Sequence, residues 1–204
     1  MGDESAREVR TTHPLLRQMV DAQIAIDAYE GEFGGQHLQA DYEELMQKFL
    51  RLGVRAVEPC IAGLLSGESQ VRSQAARTLQ RLRVSELFVM TASESPVSQR
   101  IIAALAHAVH DQDADVRHTA GTALLAWDRR RAIEAFLEAL KDYPLSAVCR
   151  PDVATIRDIV QAALGQEEPR RRVSLERLSR DPSSSTARSI DKALSVLAPK
   201  FSRA

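Results

Sequence analysis

The feature that most constrains this chain is an internal repeat whose two clear copies lie 45 residues apart. The segment 57–82 (VEPCIAGLLSGESQVRSQAARTLQRL) aligns with 102–127 (IAALAHAVHDQDADVRHTAGTALLAW) without a gap. The best-matched positions are Val71 with Val116, Arg72 with Arg117, Ala75 with Ala120 and Leu79 with Leu124. In each copy an apolar helical pattern precedes a polar or acidic turn, and a second helical pattern begins at Val-Arg. A period of this size predicts pairs of helices stacked along the chain.

Weaker helical patterns extend the repeat in both directions. Residues 131–143 carry apolar side chains at i, i+3 and i+4 spacing, and residues 151–164 supply the second helix of that pair. Upstream, residues 13–30 and 40–52 form a pair joined by a glycine-rich hairpin. This pair lacks the Val-Arg signature, as a terminal capping unit would.

The composition supports an all-α fold around one core. Hydrophobic residues make up 44% of the 204 residues and aromatic residues only 4%, and a chain rich in Ala and Leu favours helices over strands. The polar N-terminus has no apolar signal sequence, and no apolar run reaches membrane-spanning length. Two cysteines, Cys60 and Cys149, are too few for a disulfide framework. We therefore expect a cytoplasmic protein that does not bind membranes.

The two clear copies resemble HEAT repeats. In that family a first helix is followed by an acidic turn and by a second helix that opens with Val-Arg and continues with Ala-Ala and Ala-Leu. The residues that carry the resemblance are Asp111, Asp113, Val116, Arg117, Ala120, Ala123 and Leu124 in one copy and Val71, Arg72, Ala75, Ala76 and Leu79 in the other. The resemblance covers residues 54–128 and extends weakly to 165. It implies a right-handed α-solenoid of about four helix pairs that binds partners along the concave face of its second helices.

The chain divides into four segments on this interpretation. Residues 1–10 are expected to be disordered, and residues 11–165 form the HEAT-like domain. Residues 166–186 mix Pro, Ser and charge and predict a flexible linker. Residues 187–204 regain an apolar stripe and predict an amphipathic helix that docks on the body of the protein or forms a homodimer. Residues 166–204 carry nine basic and five acidic side chains, whereas residues 1–50 carry four basic and ten acidic ones.

The stretch 110–126 (HDQDADVRHTAGTALLA) has two interpretations. Its three aspartates lie near His107, His110 and His118, which suggests a metal site. The match to a calcium-binding loop fails, because Val116 and Arg117 stand where Gly is required. In the repeat interpretation the acids cap the second helix and pair with an arginine of the neighbouring unit. We predict no metal and no cofactor, and a structural ladder made of Arg72, Asp111, Asp113 and Arg117.

The partner-binding surface is predicted from the second helices. Positions off the apolar stripe should line the concave face: Ser73, Gln74, Arg77, Arg81, His118, Thr119, Thr122, Thr155 and Asp158. Trp127, the only tryptophan, either caps the hydrophobic seam between repeats or anchors a partner.

These features favour a non-enzymatic scaffold or adaptor that binds a segment of another protein. A nucleic-acid-binding HEAT-like protein is one alternative, but residues 51–165 carry 14 basic and 13 acidic side chains, which argues against a phosphate-binding surface. A chromophore lyase or a DNA glycosylase is the other, because both enzyme classes use HEAT-like stacks. No catalytic motif supports either enzyme.

Overall fold

The computed structural model describes residues 12–29, 35–85, 95–149, 153–181 and 187–193, and this part of the chain is helical without strands. The helices of the first three pairs are α1 (Pro14–Asp27), α2 (Gly35–Leu50), α3 (Val57–Leu64), α4 (Ser69–Val84), α5 (Pro96–Ala108) and α6 (Ala114–Trp127). They are followed by α7 (Arg129–Ala139), α8 (Val153–Leu164) and α9 (Glu168–Ser179), and residues 187–193 are also helical. Short 3₁₀ turns span Gly53–Ala56 and Leu145–Ala147. The predicted all-α fold is confirmed for the described residues.

Local capping explains where the central helices begin. Ser95 precedes α5, its side chain accepts a hydrogen bond from the Ser98 N–H, and Pro96 occupies the first turn. Asp113 caps α6 by accepting from the N–H groups of Asp115 and Val116. A single residue, Asp128, ends α6 and caps α7, so these helices follow each other with almost no loop.

The helices pack as consecutive pairs and across pairs. Helix α1 packs on α2, α3 on α4, α5 on α6, and α7 on α8. Among the first helices of the pairs, α3 contacts α5 and α5 contacts α7. Among the second helices, α4 packs along α6, and α4 also contacts α1.

Small side chains on α4 and α6 are buried among the packed helices, and Ala75 of α4 lies against Gly63 of α3. Ala75 and Ala76 of α4 and Ala120 and Ala123 of α6 are all fully buried. A helix face of alanines brings two backbones together at low entropic cost, because alanine has no side-chain rotamers to lose. Gly121 is also buried, and a Cβ atom there would lie 2.6 Å from the Val148 carbonyl oxygen. The backbone around Val148 therefore packs directly on α6.

The C-terminal part differs from the sequence-based prediction. Residues 168–179 form helix α9, where we predicted part of a flexible linker. Pro169 sits in the first turn of α9, Leu178 is fully buried, and Asp181 accepts a hydrogen bond from the Ser146 N–H. A buried leucine and a hydrogen bond to Ser146 thus attach this segment to the rest of the protein, although its composition is typical of a disordered region.

Part of the predicted docking helix packs on the same core. Ile190 and Ala193 are buried within residues 187–193 and belong to the main hydrophobic cluster. The predictions for residues 182–186 and 194–204 and the expected disorder of residues 1–10 fall outside the described residues. No helix in the described part of the chain is long and apolar enough to cross a membrane.

The close approach at Gly121 gives a testable prediction. Gly121→Ala adds a methyl group that clashes with the Val148 carbonyl oxygen and reaches the Phe136 ring at 3.2 Å. Overpacking of this kind costs about 1–3 kcal/mol, against about 1 kcal/mol gained in helix propensity, so the free energy of unfolding should fall by about 1 kcal/mol. Urea denaturation measures the change. Gly67→Ala is the control, because a Cβ atom at Gly67 meets nothing within 4 Å. An unchanged or raised stability for Gly121→Ala would show that α6 and the Val148 segment are further apart.

Candidate functional site

The Val-Arg arginine of the first clear repeat ties two repeats together. The Nε and Nη2 groups of Arg72 donate to the two carboxylate oxygens of Asp111, at 2.7 and 2.9 Å. Its Nη1 group donates to the carbonyls of Ser66 and Gly67, in the turn before its own helix, at 3.0 and 3.1 Å. A bidentate pair of this type fixes both distance and orientation. Arg72 thus closes the α3–α4 turn and holds the α5–α6 turn beside it.

Arg117 plays the same part in the second clear repeat. Its Nη1 group donates to the carbonyls of Asp111 and Gln112, in the turn before α6. Its Nε group donates to the Ala147 carbonyl of the next unit, and its guanidinium lies 3.9 Å from the centre of the Tyr143 ring. The second arginine therefore contacts a carbonyl and an aromatic face where the first contacts a carboxylate.

Asp111 and Asp113, in the turn between α5 and α6, are both engaged within the fold. Asp111 accepts from Arg72 and from the Asp113 N–H, and Asp113 caps α6. The described residues contain no group of three or more His, Cys, Asp or Glu side chains placed to hold a metal ion. Of the predicted ladder, the structure shows the Arg72–Asp111 pair between neighbouring units, whereas Arg117 bonds to backbone carbonyls and Asp113 caps α6.

The ion pair shifts the ionisation of Asp111. Burial raises the pKa of this carboxyl group, but hydrogen bonds from Arg72 and the Asp113 N–H outweigh burial, and the pKa lies below its ordinary value. The Arg72 and Asp111 side chains are only 9% and 14% exposed, so solvent screens the pair weakly.

A groove of about 470 Å³ runs between α1, α4 and α6. It is open on one side and lies on the surface formed where α4 packs along α6. The residues that line it are Val20, Gln23, Ile24, Asp27, Ser69, Gln70, Ser73, Gln74, Arg77, Asp113, Asp115, His118 and Thr119.

Hydrogen bonds between helices shape the floor of the groove. Ser73 Oγ of α4 and Thr119 Oγ1 of α6 lie 3.3 Å apart. The Nη1 group of Arg77 donates to Gln23 Oε1 of α1 at 3.0 Å. Ile24 of α1 remains 44% exposed at the groove, which is a large share for an isoleucine. The groove thus combines fixed polar groups with one exposed apolar side chain.

Five of the predicted partner-binding residues line this groove: Ser73, Gln74, Arg77, His118 and Thr119. Gln74 was predicted to contact a partner from the exposed face, and this prediction is wrong because its side chain is buried. Its amide group bonds with Tyr42 Oη and lies 3.4 Å from Thr78 Oγ1. Gln74 therefore supports the groove from beneath.

The other predicted contacts lie elsewhere. Arg81 pairs with Glu43 of α2, and Asp158 of α8 pairs with Arg129 of α7. Thr122 donates its hydroxyl to the His118 carbonyl, one turn back in its own helix. None of these side chains is among those that line the groove. Thr155, also expected on this face, is buried.

Trp127 is not available as a partner anchor. It is buried, its indole N–H donates to the Leu79 carbonyl at 2.9 Å, and the Arg83 guanidinium lies over its ring. Of the two roles predicted for it, the structure supports the cap on the seam between α4 and α6. The buried indole N–H needs a hydrogen-bond acceptor, and the Leu79 carbonyl of α4 provides one.

Sequence analysis missed the contribution of α1 to the groove. We treated the α1–α2 pair as a terminal cap, whereas Gln23, Ile24 and Asp27 form one wall of the groove. A signal was present, because Ile24 follows Val20 at i+4 and continues the apolar stripe past the last buried residue of α1.

Neither cysteine is suited to nucleophilic chemistry. Both are buried, and burial raises the pKa of the Cys60 thiol far above its ordinary value and that of Cys149 to about 12. A nucleophilic cysteine needs the opposite shift.

Comparison with known proteins gives no relative: no protein-family model matches this chain, and no curated protein sequence is significantly similar to it.

The Arg72–Asp111 pair gives the second prediction. Asp111→Asn should lower the free energy of unfolding at pH 7 by about 1.5–3 kcal/mol, the range for hydrogen bonds to charged groups. The pKa of Asp111 is lower in the folded state than in the unfolded state. The ionised carboxylate therefore adds to the free energy of unfolding above the unfolded-state pKa, which is near 4. This stabilisation is lost as the pH falls through the folded-state pKa. The difference between wild type and variant should therefore shrink below about pH 4.

Thermal or urea unfolding from pH 7 to pH 2.5 measures this difference. Glu68→Gln is the matched control, because its partner Arg17 and Glu68 itself are 41% and 51% exposed. Such a surface pair contributes at most about 1 kcal/mol. Equal effects of Asp111→Asn and Glu68→Gln would contradict a special role for the ladder.

Proposed function

We propose that this chain is a non-enzymatic, HEAT-like scaffold that binds an extended segment of another protein in the α1–α4–α6 groove. The observation that carries the proposal is the convergence of sequence-predicted contacts on one groove. Ser73 and His118 occupy equivalent positions of the two repeats, 45 residues apart, and both line it. A repeated surface position that faces the same groove in successive units is what a solenoid uses to bind an extended ligand.

The order of helix contacts supports a HEAT-like arrangement. Contacts of α3 with α5 and of α5 with α7 suit an outer layer of first helices, and the contact of α4 with α6 suits an inner layer of second helices. In this interpretation α1 extends the inner layer at the N-terminal end. A right-handed solenoid built in this way has its concave face along α1, α4 and α6.

The chemistry of the groove favours a peptide over a nucleic acid. Its acidic side chains are Asp27, Asp113 and Asp115, and its arginine, Arg77, is bound to Gln23. A surface with more acidic than basic groups repels a phosphate backbone. Hydroxyl, amide and imidazole groups around an exposed Ile24 suit the backbone and side chains of a polypeptide, with Ile24 as the apolar contact.

Site-specific photocrosslinking tests this function. A benzoylphenylalanine at Ile24 should crosslink to a defined partner segment in native extract, identified by mass spectrometry. The same group at Val54 is the control, because Val54 is an aliphatic residue 57% exposed that does not line the groove. The proposal predicts a segment captured from position 24 and not from position 54.

Matched substitutions test the same site by affinity. Ile24→Glu should weaken binding of the captured segment by at least about tenfold, the effect of losing one well-packed apolar contact, and Val54→Glu should not. Both variants should unfold within about 0.5 kcal/mol of wild type, because both positions are exposed. If the segment binds Ile24→Glu as tightly as wild type, or if it is captured equally from position 54, the groove is not the binding site.

A further inference from the structure

A second cleft lies at the C-terminal end of the chain, away from the α1–α4–α6 groove. It has a volume of about 320 Å³ and lies between the end of α7 and the outer face of α9. Its lining consists of Leu137, Glu138, Leu140, Lys141, Gln166, Pro169, Arg170, Val173, Ser174 and Arg177. None of these residues takes part in the proposed scaffold function.

The floor of the cleft is apolar. Leu137 and Leu140 of α7 are buried at its base, and Val173 of α9 forms a wall that is 47% exposed. Pro169 adds a further apolar surface. Cavities of this size lined mainly by apolar side chains, with a few charged groups at the edge, are typical of small-molecule sites.

The rim of the cleft is basic. Lys141, Arg170 and Arg177 surround it, and Glu138 is the acidic residue in its lining. Lys141 pairs with Glu138, and Arg177 donates to the Leu140 carbonyl. These bonds hold the Lys141 and Arg177 side chains at the edge of the cleft. Lys141 holds the pKa of Glu138 below its ordinary value, with smaller contributions from His110 and Arg170. Three cations against one carboxylate leave the mouth of the cleft positively charged.

We propose that this cleft binds a single-chain amphiphile with a carboxylate head, of the fatty-acid class. The apolar chain would lie against Val173 and Pro169, above the buried Leu137 and Leu140, and the carboxylate would lie between Arg170 and Lys141. The lining consists of the end of α7, Gln166 and about two turns of α9, which is too short for the repeated i, i+3, i+7 anchors of a bound helix. This favours a small ligand over a peptide.

Calorimetric titration of the full chain with decanoate, below its micellar concentration, tests the site. Decyltrimethylammonium serves as the probe of opposite charge, and decan-1-ol serves as the uncharged probe. The proposal predicts one decanoate bound per chain, about tenfold or more tighter than decyltrimethylammonium, because the same chain carries an attractive or a repulsive head. Amide shifts of Val173 and Leu137 in heteronuclear NMR spectra should follow the same titration.

Charge reversal on α9 distinguishes this site from general attraction. Arg170→Glu should weaken decanoate binding by about fivefold or more, because it replaces an attractive charge with a repulsive one. Arg172→Glu makes the same charge change on the same helix, but Arg172 is 79% exposed and outside the cleft, so binding should change less than about twofold. Val173→Asp should abolish binding while the chain keeps its helical circular dichroism.

Several results would overturn the proposal. If Arg170→Glu and Arg172→Glu weakened binding equally, the effect would come from net charge alone. If decanoate and decan-1-ol bound with equal affinity, the cationic rim would not contribute to recognition. Binding that appears only after residues 194–204 are deleted would make the chain's own C-terminal segment the occupant. Concentration-dependent dimerisation that Val173→Asp abolishes would place a second copy there.

Discussion

The ion pair between Arg72 and Asp111 is the interaction on which the arrangement of the central helices depends. It joins the first turn of α4 to the turn before α6, two elements 39 residues apart in sequence, with both carboxylate oxygens engaged. Removing two charges from water is costly, and only good geometry and further hydrogen bonds recover the cost. The carbonyls of Ser66 and Gly67 supply those bonds. The pair therefore specifies one register of α4 against α6.

That register determines the candidate binding surface. With α4 and α6 held side by side, their alanines are buried in the core and their polar edges meet at Ser73 and Thr119. Helix α1 then closes one wall of the groove through Gln23. Arg117 repeats the arrangement towards the next unit, but with a carbonyl and the Tyr143 ring as partners. The two arginines therefore have different partners in the neighbouring unit, but each one also bonds to carbonyls in the turn before its own helix.

Local patterns predicted much of this structure, and long-range contacts account for the remainder. The helix pairs, the Asp113 cap and the partner of Arg72 follow from spacing within a repeat of 45 residues. The choice between the two roles predicted for Trp127 did not follow from spacing, because its burial involves a hydrogen bond to the Leu79 carbonyl, 48 residues away. Helix α9 was missed for a similar reason: its sequence is mostly polar, and its stability comes from burying Leu178 against the rest of the chain.

Helices α4 and α6 lie side by side and form the floor of the candidate binding groove. An engineered disulfide between Ser73→Cys and Thr119→Cys tests this arrangement most directly, because Ser73 Oγ and Thr119 Oγ1 are 3.3 Å apart and the native thiols are buried. Disulfides form only when the two Cα atoms are within about 7 Å. We expect rapid, complete intramolecular crosslinking under mild oxidation, with the helical circular dichroism and melting temperature maintained or raised. A pair of thiols that stays reduced, or a crosslink that forms only as the protein unfolds, would contradict it.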